Sequence, residues 1–435
     1  MEEPSANERQ QFRAAIERGD ADGVRRLLDA SPELRARVND PIGDFGARPV
    51  QMAARHPALM DVLLDHGADI NLRSDWANGP FSVLDSAPEE AVRQYIARGA
   101  ILTPHAAARL GWVDELRAIL DADPAAVHEK GGDGQQPLHF AATREIVDLL
   151  LDRGADIDAR CIDHRSTPAQ YAIDNRQGIC RYLLQRGAKP DIYMAACLGD
   201  GALINRLADA DPACLAARIN APGYDPVPPF SIYCWKLGWY LSPHEVARQH
   251  DQPDAFDLLW QRSDDRVRLL VACSLGDAGT ARQLAESNPT LLKTLTPDDH
   301  ALLPFSVFYG RAVSAGLMLD LGFDANARGT EGGTVLHMAC WRGDVTLVRL
   351  LLERYRDRFD LDLRDPTHDS PPLGWAAFGS VHCRAPDGDY VGVLRALAQA
   401  GADVTMTAND AGRSLIAQAE GNPDVQAVLR ELGTT

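Results

Sequence analysis

The sequence predicts an all-α fold built from stacked helix-turn-helix units, and three observations predict it. Helical apolar spacing comes in pairs: in GGTVLHMACWRGDVTLVRLLLERYRDRFDLDLRD, residues 332–365, Leu336, Ala339 and Cys340 share one short helix, and Val345, Val348, Leu351 and Leu352 share a second. A Gly343-Asp344 corner joins them. Helix ends recur at a fixed interval, with Gly-Ala or Gly-X-Asp endings at Gly67, Gly99, Gly154, Gly187, Gly322 and Gly401, and 67 to 99 is 32 residues while 154 to 187 is 33. Units laid end to end then account for nearly all 435 residues. Two helices joined by a tight corner cannot bury both apolar faces alone, so each unit requires a copy on either side.

The elements follow in order. The first unit, from Phe12, places Ala14 and Ala15 on one helix, turns at Gly19-Asp20, and continues with Val24, Leu27 and Leu28; its Arg-rich outer helix suits an end facing water. The second ends at Gly67-Ala68-Asp69, where glycine is free to take the left-handed conformation that closes a helix. About thirteen units begin near residues 8, 47, 79, 103, 133, 165, 191, 225, 264, 299, 331, 370 and 410. Those at 8, 103, 191 and 264 end instead in a proline variant, such as Asp29-Ala-Ser-Pro-Glu-Leu34 and Asp121-Ala-Asp-Pro-Ala-Ala126, which stops the helix differently. That recurrence points to growth by duplication of blocks of repeats.

The period divides into N-terminal repeats over 8–220, an aromatic insertion over 221–242 and C-terminal repeats over 243–433, all in one expected solenoid spanning 1–435. The insertion, APGYDPVPPFSIYCWKLGWYLS, reads as a loop or hairpin of about 15 extra residues, long enough to carry function. A second break, SVHCRAPDGD over 380–389, is expected to lengthen the corner after Ala376-Ala377. The last helix, from Asn422 to Leu432, reads as a cap.

Gln136-Pro-Leu-His-Phe-Ala141 and Thr334-Val-Leu-His-Met-Ala339 each match the pattern T-P-L-H-x-A with one departure, and Thr167-Pro168 opens a weaker third copy. With the repeat length near 33, the chain resembles the ankyrin-repeat family, in a bacterial-type set of divergent repeats. The resemblance implies an all-α solenoid with short hairpin-like turns, and action by binding another protein in its concave groove. It also implies that His337 hydrogen-bonds backbone groups in a turn.

Composition bounds the partners. With 62 acidic and 44 basic residues the formal charge is −18, which opposes binding to nucleic acid or an anionic membrane. The basic residues are 40 Arg and four Lys, a bias that points to a GC-rich, bacterial genome. Eight cysteines without a C-x-x-C pair fit small buried thiols in a reducing compartment. The polar start MEEPSANERQQ is not a signal peptide, and no apolar run approaches the ~20 residues of a membrane span, so a cytoplasmic protein is expected.

Catalytic and cofactor motifs are not found. There is no phosphate-binding G-x-x-x-x-G-K-[ST] and no G-x-S-x-G elbow. His244-Glu245-Val246-Ala247-Arg248 stops one histidine short of the zinc protease pattern. His337 with Cys340, and His382 with Cys383, have metal-ligand chemistry but read better as satisfied structural groups. The expectation is a non-enzymatic protein with no cofactor and no metal.

The resemblance places the two residues before each inter-helix corner on the inner helix, facing the groove. Early units carry mixed polar pairs there, such as Arg55-His56 and Asp174-Asn175. The tenth to twelfth units carry Phe308-Tyr309, Trp341-Arg342 and Phe378, with Trp375 one turn away. Large aromatics and Arg dominate interface energetics, because they bury much area with few rotors. These six, with Trp235 and Trp239 from the insertion, are the candidate partner-binding residues. The alternative for Trp341 and Trp375 is that they fill wide gaps between repeats.

Two rival readings remain at this level. One is an enzyme or small-ligand site between the 221–242 insertion and the 380–389 corner, using Trp239, His244, His382, Asp387, Asp389 and Tyr390. The other is an acidic mimic of nucleic acid, which requires carboxylates concentrated on one face.

Overall fold

The computed structural model describes residues 3–221 and 230–433. Among them the chain is helical, with thirteen successive helix pairs and no strand; an isolated bridge joins Thr407 to Ser414. Tyr224 and most of the proline-rich half of the expected insertion lie outside the described residues. The described residues group into two compact units, 3–198 with 230–238, and 199–221 with 239–433.

The pair-forming logic is visible at Val335–Trp341 and Val345–Tyr355. The first helix ends because Gly343 adopts φ +66°, a conformation that side chains rarely take. Asp344 then caps the second helix, its carboxylate accepting from Leu347 N at 2.9 Å. Leu336, Ala339, Cys340, Val348 and Leu351 are fully buried, as the apolar spacing predicts. Each fully buried aliphatic side chain contributes roughly 1.5–3 kcal/mol, and stacking is what buries them. In the second unit, Leu302–Phe308, Val335–Trp341, Pro372–His382 and Leu415–Gln418 pack successively in one layer. Val345–Tyr355, Tyr390–Gln399 and Pro423–Glu431 pack successively in the other. One apolar core runs through this unit from Tyr240 to Leu429.

The turn histidines join consecutive repeats. His139 Nδ1 accepts from Gln136 N at 3.1 Å, and Nε2 lies 3.1 Å from Ser166 O on the next repeat. His337 repeats this with Thr334 N at 3.2 Å and Ser370 O at 3.2 Å. With Nδ1 accepting, Nε2–H is the donor to the neighbouring carbonyl. Burial pushes both imidazoles down to about 4.

The second break departs from expectation. Helix Pro372–His382 continues through Ser380, so the added residues first lengthen the helix and only then form the loop before Asp389. Ser380 Oγ donates to Ala377 O at 2.7 Å, and the bare Gly379 lies against the Trp341 backbone, where a Cβ would come within 2.4 Å of Trp341 O. The described end of the insertion forms a short helix, Tyr233–Lys236, rather than a hairpin. Tyr233 is fully buried in the first unit and donates its hydroxyl to Asp191 at 2.8 Å.

Candidate functional site

In the second unit the stacked first helices leave a cavity of about 520 Å³. Five of the eight candidate residues line it: Trp239, Phe308, Trp341, Trp375 and Phe378. Trp341 and Trp375 meet edge to face with centroids 6.4 Å apart, and Trp341 lies 5.7 Å from Phe378. Edge-to-face contact pairs a ring's positive edge with a negative face, which orients the cluster without a covalent link. Phe378 also contacts His382, with ring centroids at 4.0 Å.

Trp375 is the most enclosed of these rings. Trp375 is 8% exposed, and its indole N–H donates to Asp365 Oδ2 at 2.8 Å. Burial raises the Asp365 carboxyl, but the Trp375 donor and the N–H groups of His368, Thr367 and Ser370 outweigh it and hold the group below the usual range. Room for the Trp375 ring comes from Gly333, where a Cβ would lie 2.7 Å from the indole. Trp375 therefore fills an inter-repeat gap and also forms cavity wall. Trp341 and Phe308 are only partly buried, and Phe378 is 37% exposed.

Tyr309 and Arg342 stand outside the lining. The Tyr309 hydroxyl accepts from Trp239 N at 2.5 Å and donates to Trp239 O at 2.8 Å, fixing the backbone that presents the Trp239 ring. Arg311 stacks over Tyr309 at 4.9 Å. Arg342 donates from Nη1 to Phe308 O at 3.3 Å, joining the ends of two first helices. Trp235 belongs to the first unit, where it is 68% exposed.

The rim is polar and was not singled out by the sequence. Thr330, Glu331, His368, Asn409, Asp410 and Arg413 come from the tips of three successive turns, with Gln418 beside them. His368 Nε2 lies 2.7 Å from Glu331 Oε2, and Asp410 N donates to His368 O at 2.9 Å. The cavity is thus an aromatic floor inside a rim bearing both signs of charge. A signal for the rim existed in the Thr330-Glu331-Gly332 turn and in its counterpart one repeat later, but the pre-corner rule does not reach them.

Of the rival constellation, His244, Asp389 and Tyr390 make structural contacts. His244 is fully buried, with Nε2 at 3.0 Å from Ser263 Oγ. Asp389 caps helix Tyr390–Gln399 by accepting from Gly392 N at 2.7 Å, and the Tyr390 hydroxyl donates to Trp341 O at 3.1 Å. Among the described residues, Trp239 alone of those six lines the cavity. All eight cysteines are free thiols, seven of them buried, and burial pushes the Cys340 thiol up, away from the thiolate that a metal needs.

Family models of ankyrin repeats match residues 104–211 and 314–352. No curated protein sequence matches the chain. Among solved structures, the human ASB11 ankyrin repeat domain is similar at 19% sequence identity, covering 57% of this chain and 99% of that one with a TM-score of 0.35. Among the described residues, no helix is long and apolar enough to cross a membrane.

Proposed function

The chain is an ankyrin-repeat protein, and from that premise we propose that it is a non-enzymatic interaction module whose second unit holds a partner polypeptide in the aromatic cavity. The observation that carries this reading is the convergence of Trp239, Phe308, Trp341, Trp375 and Phe378 on one concavity, with a rim of Glu331, His368, Asp410 and Arg413. Such a floor takes a bulky apolar side chain of the partner, because burial of aromatic area supplies most of the affinity at protein interfaces. The mixed rim selects the register of the flanking residues, since like charges set against it are penalised. Tyr309, Asp365 and Arg342 act on the contact indirectly, by fixing the backbone and rings that form it.

Affinity capture from the source cells tests the proposal. Trp341→Ala with Phe378→Ala removes two partly exposed rings from the floor while leaving Trp375 in its gap. Loss of an interface centre of this kind costs at least about 2 kcal/mol, or roughly thirtyfold in affinity. The expected result is loss of the captured protein with the far-ultraviolet circular dichroism of the wild type. Undiminished capture by the double variant would set the cavity aside as the contact.

A further inference from the structure

Outside the cavity, the tips of consecutive turns in the first unit bring together Asp133, Asp163 and His164, one ligand-type atom of each lying within 4.8 Å of the others. We infer that this cluster binds a divalent first-row transition ion of the zinc type, clamping the turn tips of adjacent repeats.

Three features of the cluster point to an ion. The first is orientation from outside the set. Trp76 Nε1 donates to Asp133 Oδ1 at 3.1 Å, Asn78 Nδ2 donates to Asp163 Oδ1 at 2.7 Å, and His164 Nδ1 faces the Phe230 carbonyl at 3.2 Å. Each first ligand thus has a partner behind it, the arrangement that fixes metal ligands elsewhere. With Nδ1–H donated to a carbonyl, the neutral imidazole presents its lone pair at Nε2. That atom lies 3.3 Å from Asp163 Oδ2, an acceptor facing an acceptor.

The second feature is charge. Two half-buried carboxylates face one imidazole, so the set carries a surplus negative charge even when His164 is protonated. A divalent cation balances the two carboxylates.

The third is an internal comparison. In the second unit the same turn positions hold Glu331 and His368, which form a direct pair at 2.7 Å. There Thr367 stands where the first unit has Asp163. The second carboxylate is what distinguishes the first unit, and it converts an ion pair into a three-ligand set. Imidazole with two carboxylates suits zinc or manganese better than calcium, which prefers oxygen alone, and three protein ligands leave room for water.

The test uses the full chain after dialysis against a chelator, with zinc chloride as the titrant in isothermal calorimetry. One zinc per chain is expected, with calcium chloride giving no saturable heat. Asp163→Asn and His164→Gln are each expected to weaken binding at least tenfold, Asn78→Ala about tenfold through the outer partner, and His368→Gln not at all. Because a loop variant can loosen the fold, thermal melting is followed alongside: zinc should raise the wild-type midpoint and leave those of the Asp163 and His164 variants unmoved. Absence of one-to-one zinc binding would overturn the inference, as would binding that both of those variants retain in full.

Discussion

Glu245→Ala is expected to destabilise the second unit by about 3–5 kcal/mol, the cost of leaving buried charge without its partner. Glu245 is 5% exposed and accepts from five donors. Ser242 donates from both N and Oγ at 3.0 Å, Arg218 from Nη1 at 3.3 Å, and Arg311 from Nη1 at 2.6 Å. The fifth donor is the Ser274 hydroxyl. Burial raises this carboxyl, but the Arg218 and Arg311 charges and the Ser274 bond outweigh it, so the folded group titrates below the usual range. Arg218 is itself only 7% exposed and loses the carboxylate it pairs with in the variant. Hydrogen exchange over helices Pro243–Gln249 and Asp265–Leu275 reads the effect locally. Exchange at the wild-type rate there would contradict it, and Glu245→Gln separates loss of charge from loss of hydrogen bonds.

Mild acid is expected to loosen the same unit before most carboxylates titrate. His244 and His337 are buried, and burial pushes each down to about 4. In the unfolded chain each takes a proton near 6.5. Between those values the unfolded state binds protons that the folded state refuses, so stability falls as pH falls from about 6.5 toward 4. Each histidine contributes about 1.4 kcal/mol per pH unit in that window, and two of them on the order of 5 kcal/mol by pH 4.5. Glu245 and Asp365, whose folded carboxyls are held down, add a further loss as pH drops through the carboxylate range. Urea titrations at pH 7, 6 and 5 check the sign. A midpoint that stays constant or rises toward pH 5 would refute the assignment of neutral buried imidazoles, and His337→Gln should flatten the dependence.

Much of the helix-pair pattern was legible because it rests on local rules. Apolar spacing, Gly-Asp corners and Gly ends each act within a few residues, and Gly343 with Asp344 behaves as the spacing requires. The turn role of His337 was also legible, through the resemblance in its motif. What was not legible depends on stacking register. Trp375 is walled in because Gly333, forty-two positions earlier, leaves space for its ring. Tyr309 and Arg342 occupy positions of the same kind as Trp341, yet their polar atoms are engaged by neighbouring backbone. Ser274, at the same point of its own repeat, is buried against Glu245. The rim residues sit at turn tips, and their proximity follows only once repeats are superposed. The same holds for Asp133, which meets the consecutive Asp163 and His164 only across turns.

Site-specific photocrosslinking in the source cells locates the contact. A benzophenone side chain replaces Phe378, which is 37% exposed at the cavity, and in a parallel sample replaces Ile101, which is 70% exposed in the first unit. A discrete adduct with one polypeptide is expected from position 378 and none from position 101. No adduct at 378, or the same adduct in equal yield from 101, would contradict a contact at the cavity.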